Sequence, residues 1–214
     1  MQTEISKQNI RNNYFKEEAE EVLKQLSEAL NQNNIMFWLE FGTLLGFYRE
    51  HDFIKHDDDL DFGAYLEDAV HIRKALEKNG FKLIRKYQST DGGLEECYRY
   101  KHTTLDIFYF RKNEHGLYCT SYSRDKKTFI SSLLNRRPCT VKQITIPDNG
   151  FVSTIYKNCQ VNIPTDCTKH LTMHYGRNFM TPNPNFNYKE EASNIKYYTK
   201  DEIKGVLKIY GKKV

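Results

Sequence analysis

Apolar residues recur at three- and four-residue spacing from Ala19 through Val22, Leu23 and Leu26 to Leu30. This predicts an amphipathic helix over 14–33, stopped by Asn33-Asn34. The unbroken apolar run IMFWLE (35–40) predicts a buried strand, TLLGFYRE (43–50) returns to a helical pattern, and LDFGAYL (60–66) predicts a second strand. Ala69, Ile72, Ala75 and Leu76 line one face of a helix over 67–79, with Gly80 placed to cap it. The character of the chain then changes. FKLIRKYQ (81–88), LEECYRYKH (94–102), TLDIFYFRK (104–112) and GLYCTSYS (116–123) are rich in aromatic and β-branched residues. DGG (91–93) and NEHG (113–116) separate them as turns, so an antiparallel meander is expected, to which VKQITIP (141–147) adds a strand. Beyond 150 the pattern weakens. PTDCTKHLTMHYG (164–176) predicts a short helix ending at Gly176, and TPNPN (181–185) predicts a loop. The capping-box spacing of Thr199 and Glu202 predicts a last helix over 201–210. With no repeat and no linker, this order of elements predicts one α+β domain over 1–214.

Composition narrows the function classes. The chain is 39% hydrophobic and 28% charged, and its net charge of +4 is too small to argue for nucleic acid by itself. It suits anionic small substrates or an anionic surface. Cys97, Cys119, Cys139, Cys159 and Cys167 are odd in number and form no C-x-x-C pair. Reduced thiols in a cytoplasmic protein are expected rather than a disulfide framework or a zinc knuckle. The polar N-terminus has no apolar signal core, and no run of about 18 apolar residues occurs, so no membrane span is expected. The basic KGVLKIYGKKV (204–214) leaves peripheral contact with the inner face of a membrane open, against the default of a solvated tail.

The chemistry-bearing stretch is GTLLGFYREHDFIKHDDDLD (42–61). Asp59 and Asp61 are two apart where a strand begins, so both carboxylates point to one face, and Asp57 shares their parity. Hard carboxylate oxygens arranged in this way suit Mg²⁺, with Mn²⁺ as the alternative. Gly42 and Thr43 sit between a strand and a helix, where backbone N–H groups and a hydroxyl favour a phosphate; Arg49 and Lys55 add positive charge. Asp106 lies inside the apolar strand TLDIFYF, where an ionised carboxylate is costly unless it is paired or metal-bound. Each feature has a plainer reading. An acidic cluster is usually a solvated turn, and Asp106 could be an edge-strand charge. It is the conjunction that points to metal-assisted phosphoryl chemistry. His170 and His174, four apart on the short helix, have a metal-compatible spacing, but no third ligand is evident nearby and a surface or capping role is the simpler reading.

FWLEFGTLLGFYREHDFIKHDDDLDFGAY (37–65) resembles the signature of the LicD/fukutin-like phosphotransferases, in which G-T-L-L-G-x-x-R is followed by an apolar pair and W-D-x-D-(I/L/V)-D. Gly42 to Gly46, Arg49, Phe53-Ile54, Asp57, Asp59, Leu60 and Asp61 fill those places. Asp106 resembles the family's later Asp-bearing strand, and HLTMHYGRNFMTPNP is similar to its L-x-x-x-Y-G-x-x-(W/F)-x-x-P ending. Two departures are Phe41 before Gly42, where small residues are usual, and His56 in place of Trp.

The resemblance implies a polymerase-β-type nucleotidyltransferase fold, with a mixed or antiparallel sheet flanked by helices. It implies a catalytic core over about 14–125 and a family-specific region over about 126–214. It further implies transfer of a substituted phosphate, such as phosphocholine or a polyol phosphate, from a CDP-linked donor to a sugar hydroxyl of teichoic acid, lipopolysaccharide or capsule. In that reading Asp59, Asp61 and Asp106 are the catalytic metal ligands. Gly42, Thr43, Arg49, Lys55 and Asp57 bind substrate. Two rivals stand beside it: a nucleotidyltransferase moving NMP from an NTP to a small molecule or RNA, and a non-catalytic binding module that keeps the fold.

Overall fold

The helical pattern at the start of the chain is realised as α1 (Gln2–Asn31), with Ala19, Val22, Leu23, Leu26 and Leu30 all buried on one face. The computed structural model describes residues 2–124, 136–183, 186–187 and 192–210, and the side chains from residue 9 onward. Contacts divide the chain into two interleaved units. The first comprises Met1–Leu83, Cys97–Ile107 and Phe151–Ile163; the second comprises Ile84–Glu96, Phe108–Gly150 and Pro164–Val214.

In the first unit, β1 (Phe37–Leu39) is followed by the five-residue α2 (Phe41–Leu45), a π-helical turn (Gly46–Glu50) and β2 (Asp59–Tyr65). A 3₁₀ turn (Leu66–Asp68) leads into α3 (Ala69–Lys78), which buries Ala69, Ile72, Ala75 and Leu76 as its periodicity requires. β1 and β2 are antiparallel, with Trp38 opposite Gly63. A side chain at residue 63 could not share that space, because a Cβ there would lie 2.2 Å from the Trp38 ring. β2 is flanked on its other side by β5 (Thr103–Asn113), which neighbours β4 (Leu94–Tyr100). A separate hairpin, β8 (Phe151–Tyr156) and β9 (Cys159–Pro164), completes the unit. Sequence pattern did not reveal this hairpin. Its turn is Lys157-Asn158, both at positive φ (50° and 61°), the conformation of a two-residue hairpin turn.

In the second unit, β3 (Lys82–Ser89), β4, β5, β6 (Gly116–Arg124), β7 (Arg136–Ile146) and β11 (Gly205–Ile209) pair in a ring. β3 neighbours β4, β4 neighbours β5, β5 pairs with β6, β6 with β7, β7 with β11, and β11 with β3. The result is a closed six-stranded barrel. β10 (Ile195–Tyr197) pairs with β7 beyond β11, and α4 (Cys167–Tyr175) is capped by Asp166, whose carboxylate accepts from Lys169 N at 2.9 Å.

This architecture corrects the expected fold class. The polymerase-β-type α+β arrangement, a sheet flanked by helices, is not what the chain adopts. The structure is mostly antiparallel and β-rich, with a closed barrel and four α-helices among the described residues. The segment that decides the matter is 201–210, expected to be helical. Thr199 and Glu202 do exchange capping-box hydrogen bonds, but these close a single turn. After it, Gly205 and Leu207 are buried while Val206 and Lys208 are exposed. That period of two is a strand's, and it allows β11 to join β3 and β7 and remove both open edges.

All five cysteines are buried free thiols. No helix among the described residues is long and apolar enough to cross a membrane. The TPNPN loop and the basic stretch 204–214 lie partly outside the described residues, at 184–185 and 211–214.

Candidate active site

The residues picked from the 42–61 stretch, together with Asp106, fall in the first unit, and Gly42, Thr43, Asp57, Asp59, Asp61 and Asp106 are brought together. Asp61, the third residue of β2, is held by the segment that follows β1. Glu40 N donates to Asp61 O at 3.1 Å, which continues the β1–β2 ladder by one step. Gly42 N then donates to Asp61 Oδ2 at 3.2 Å, and Asp61 N donates to Thr43 Oγ1 at 2.8 Å. The Gly-Thr pair, expected to face a phosphate, thus fixes a carboxylate. Glycine is required for this. A Cβ on residue 42 would lie 2.8 Å from Asp57 Oδ2 and 3.4 Å from Asp61 Oδ2, so two acidic side chains occupy the space a methyl group would need.

The electrostatics follow from that crowding. Asp61 is pushed well above the ordinary carboxylate range, first by burial, then by the negative charges of Asp59, Asp106 and Asp57; the Gly42 N–H opposes the shift. Asp57 is raised to about 6 by burial and by Asp58, against the pull of the Arg49 guanidinium. Four carboxylates, Asp57, Asp59, Asp61 and Asp106, therefore share one field. Isolated anions repel in such a place, and a proton or a hard cation would relieve them. Arg49 is nearly buried and also donates from Nε to Glu50 Oε1 at 2.9 Å. Lys55 is exposed in the turn before Asp57.

The loop that carries Asp57 is anchored by residues that no motif indicated. The π-helical turn ends at His51 in the left-handed region (φ 53°), and the chain folds back so tightly that a Cβ on Gly46 would meet Asp52 O at 2.6 Å. From the hairpin, Lys157 Nζ reaches Asp52 Oδ1 at 2.7 Å and Glu20 Oε1 at 3.0 Å. Tyr156 packs edge-on against Phe47 and Phe53. From α1, Asn12 Nδ2 donates to His56 O at 2.9 Å, and Arg11 pairs with Asp58 at 3.5 Å. The strand bearing Asp106 is tied to the same helix. Glu18 accepts from the backbone N–H groups of His102 and Thr103 at 3.0 and 3.1 Å, and contacts His102 Nδ1 at 2.8 Å. The Lys157-Asn158 pair is the one local signal that could have found the hairpin.

The pair of histidines on α4 belongs to the second unit. His170 and His174 are buried, not on the surface as expected. Their Nε2 atoms are 3.1 Å apart, and Asn194 Nδ2 lies 3.1 Å from His174 Nδ1.

A family model described as LicD/FKTN/FKRP, nucleotidyltransferase domain, matches residues 34–185. The chain belongs to this LicD/FKTN/FKRP family. Among curated relatives, the human protein named ribitol-5-phosphate transferase FKTN is 24% identical over 184 residues, covering 85% of this chain and 37% of that protein. Its counterpart from Macaca fascicularis matches with the same identity and coverage. An uncharacterised protein of Rickettsia prowazekii is 36% identical over 107 residues, covering 50% of this chain and 38% of that protein. The LicD/FKTN/FKRP chain described here thus spans little more than a third of the length of these relatives. The matched segment contains every residue of the acid cluster.

Proposed function

We propose that this chain is a metal-dependent phosphotransferase that moves a substituted phosphate from a CDP-linked donor to a sugar hydroxyl. Polyol phosphate and phosphocholine are the candidate groups, and a cell-surface glycan is the candidate acceptor. The observation that carries the reading is the field at Asp61, where burial and three neighbouring carboxylates all disfavour a bare anion. Membership of the family, and the transferase name of the FKTN relatives, support the reaction class.

The donor set is all oxygen and fits Mg²⁺, with Mn²⁺ as a substitute. Asp59, Asp61 and Asp106 would hold the cation. Once bound, it would offset the charge of the donor diphosphate and favour the ionised form of the attacking hydroxyl. The protein's own contributions are distinct. Gly42 and Thr43 fix the rotamer and depth of Asp61. Arg49 moderates Asp57 and supplies positive charge for a phosphate oxygen. Asp106 takes up the proton of the acceptor hydroxyl. The acceptor oxygen forms a bond to the outer phosphorus of the donor, the bond from that phosphorus to the bridging oxygen breaks, and CMP leaves with the electron pair.

The test is calorimetric binding of CDP, CMP, ADP and UDP, with and without Mg²⁺, to the wild type and to a variant carrying Asp59→Ala and Asp61→Ala. Cation-dependent binding selective for cytidine, lost in the variant, is expected. Preference for ADP or UDP would instead favour transfer of a nucleotidyl group.

A further inference from the structure

Two residues before Gly42 lies a carboxylate that the proposed chemistry does not use. Glu40 is fully buried. Its Oε2 accepts from Trp38 Nε1 at 2.8 Å, and its Oε1 faces the backbone N–H of Phe41 at 3.5 Å, where it caps α2. Phe41 stands at φ 39°, in the left-handed region where a bulky residue is strained. Something must hold that corner, because the next N–H in the chain, that of Gly42, is the one that grips Asp61.

The anchor is rigid. The indole of Trp38 is pressed against Gly63 of β2 and stacked at 4.2 Å on Phe151 of β8, so its N–H has a fixed direction. One carboxylate therefore joins an immobile indole to the first amide of α2. Its own backbone N–H meanwhile bonds Asp61 O. Asp61 is reached from Glu40 by two routes, the strand ladder and the Phe41–Gly42 corner.

We propose that Glu40 is a positioning residue that sets the cation affinity of the acid cluster, by locking the corner that aims Gly42 N–H at Asp61. This rests on the reading of the cluster as a cation site. It extends that reading to a residue outside the acidic motif. A carboxylate can accept from both N–H groups. A glutamine at position 40 offers one acceptor oxygen, so its NH₂ must face either the indole or Phe41 N, donor to donor. The corner then relaxes and Asp61 loses its fixed depth.

Trp38 is the only tryptophan in the chain, so its emission reports on this link. Mg²⁺ is titrated alone, with no nucleotide, and followed both calorimetrically and by Trp38 emission. Mg²⁺ should alter the emission of the wild type. Glu40→Gln should weaken Mg²⁺ binding by about 10-fold or more, the loss typical of removing a residue that orients a metal ligand, and should erase the emission response. Trp38→Phe, read by calorimetry, should give a similar loss, and the double variant should be no worse than either single one, because both cut the same link. Trp38→Phe also carries the test if Glu40→Gln fails to fold. A merely structural role predicts a lower melting temperature with unchanged Mg²⁺ affinity in the folded variants, and that result overturns the proposal. A wild type that binds no Mg²⁺ overturns both the proposal and the cation site. A cytidine donor that fails to bind leaves the proposal standing, since the titration contains none.

Discussion

Two regions of this molecule bury charge in opposite ways. In the acid cluster, Asp57, Asp59, Asp61 and Asp106 face one another, and Asp61 is driven far from its ordinary titration range. In the barrel unit, Glu96 and Asp91 each meet complementary groups. Glu96, fully buried, lies 3.9 Å from Lys86 Nζ and accepts from Tyr109 OH at 3.0 Å. Asp91 receives Arg111 Nη2 at 2.8 Å and is held below the ordinary range by hydrogen bonds from Ser89 and Arg111, which outweigh the opposing effect of burial. Matched charge closes on itself and stabilises. Gathered like charge costs stability unless a proton or a cation relieves it. On the proposed reading, the difference separates the part of the chain that holds a cation from the part that holds itself together.

The sharpest way to break this comparison is Asp61→Asn. Transfer should fall on the order of 10³-fold, while the melting temperature stays level or rises, because a repelling charge has gone. Radiolabelled-donor turnover and calorimetric unfolding check both halves. Glu96→Ala should do the reverse. Leaving Lys86 without its buried partner should cost about 3 kcal/mol of stability, seen in urea unfolding, with Mg²⁺ affinity unchanged. Gly42→Ala comes next. Its methyl group would displace Asp57, and Mg²⁺ affinity should drop about 10-fold with little effect on unfolding. The smallest effect is expected at Glu18. Burial pushes this carboxyl up, but its hydrogen bonds to His102 and Thr103 outweigh that and hold it below the ordinary glutamate value of 4.5. The stability it supplies is complete above 4.5 and is lost as pH falls through the lower folded-state value. Glu18→Gln should therefore be less stable than wild type by about 1 kcal/mol at neutral pH, and the two should converge in acid. A constant gap across pH would refute the assignment.

The acid cluster was legible because its signals are local. Asp59 and Asp61 share a strand face by spacing alone, and Asp106 betrays itself as a charge in an apolar run. The partners that shape it were not legible. Lys157, Asn12 and Glu18 reach the site from distant segments, and nothing in their immediate surroundings announces a role. The fold itself was misread for the same reason. Leu207 pairs with Tyr87 on one side and Arg137 on the other, a relation between remote segments. Around residue 202 the local capping signal pointed to a helix, and tertiary pairing overrode it.

The ring of strands also imposes an order of events. β3 and β7 cannot both be satisfied until Gly205–Ile209 has been synthesised, since β11 alone bridges them. A nascent chain that has emerged only through β7 therefore carries two unpaired edges, the state most open to pairing with a neighbour. Closure must wait for this segment, whatever has paired before it. Its completion is the slow, non-local step, and chaperone demand should concentrate in the interval before it.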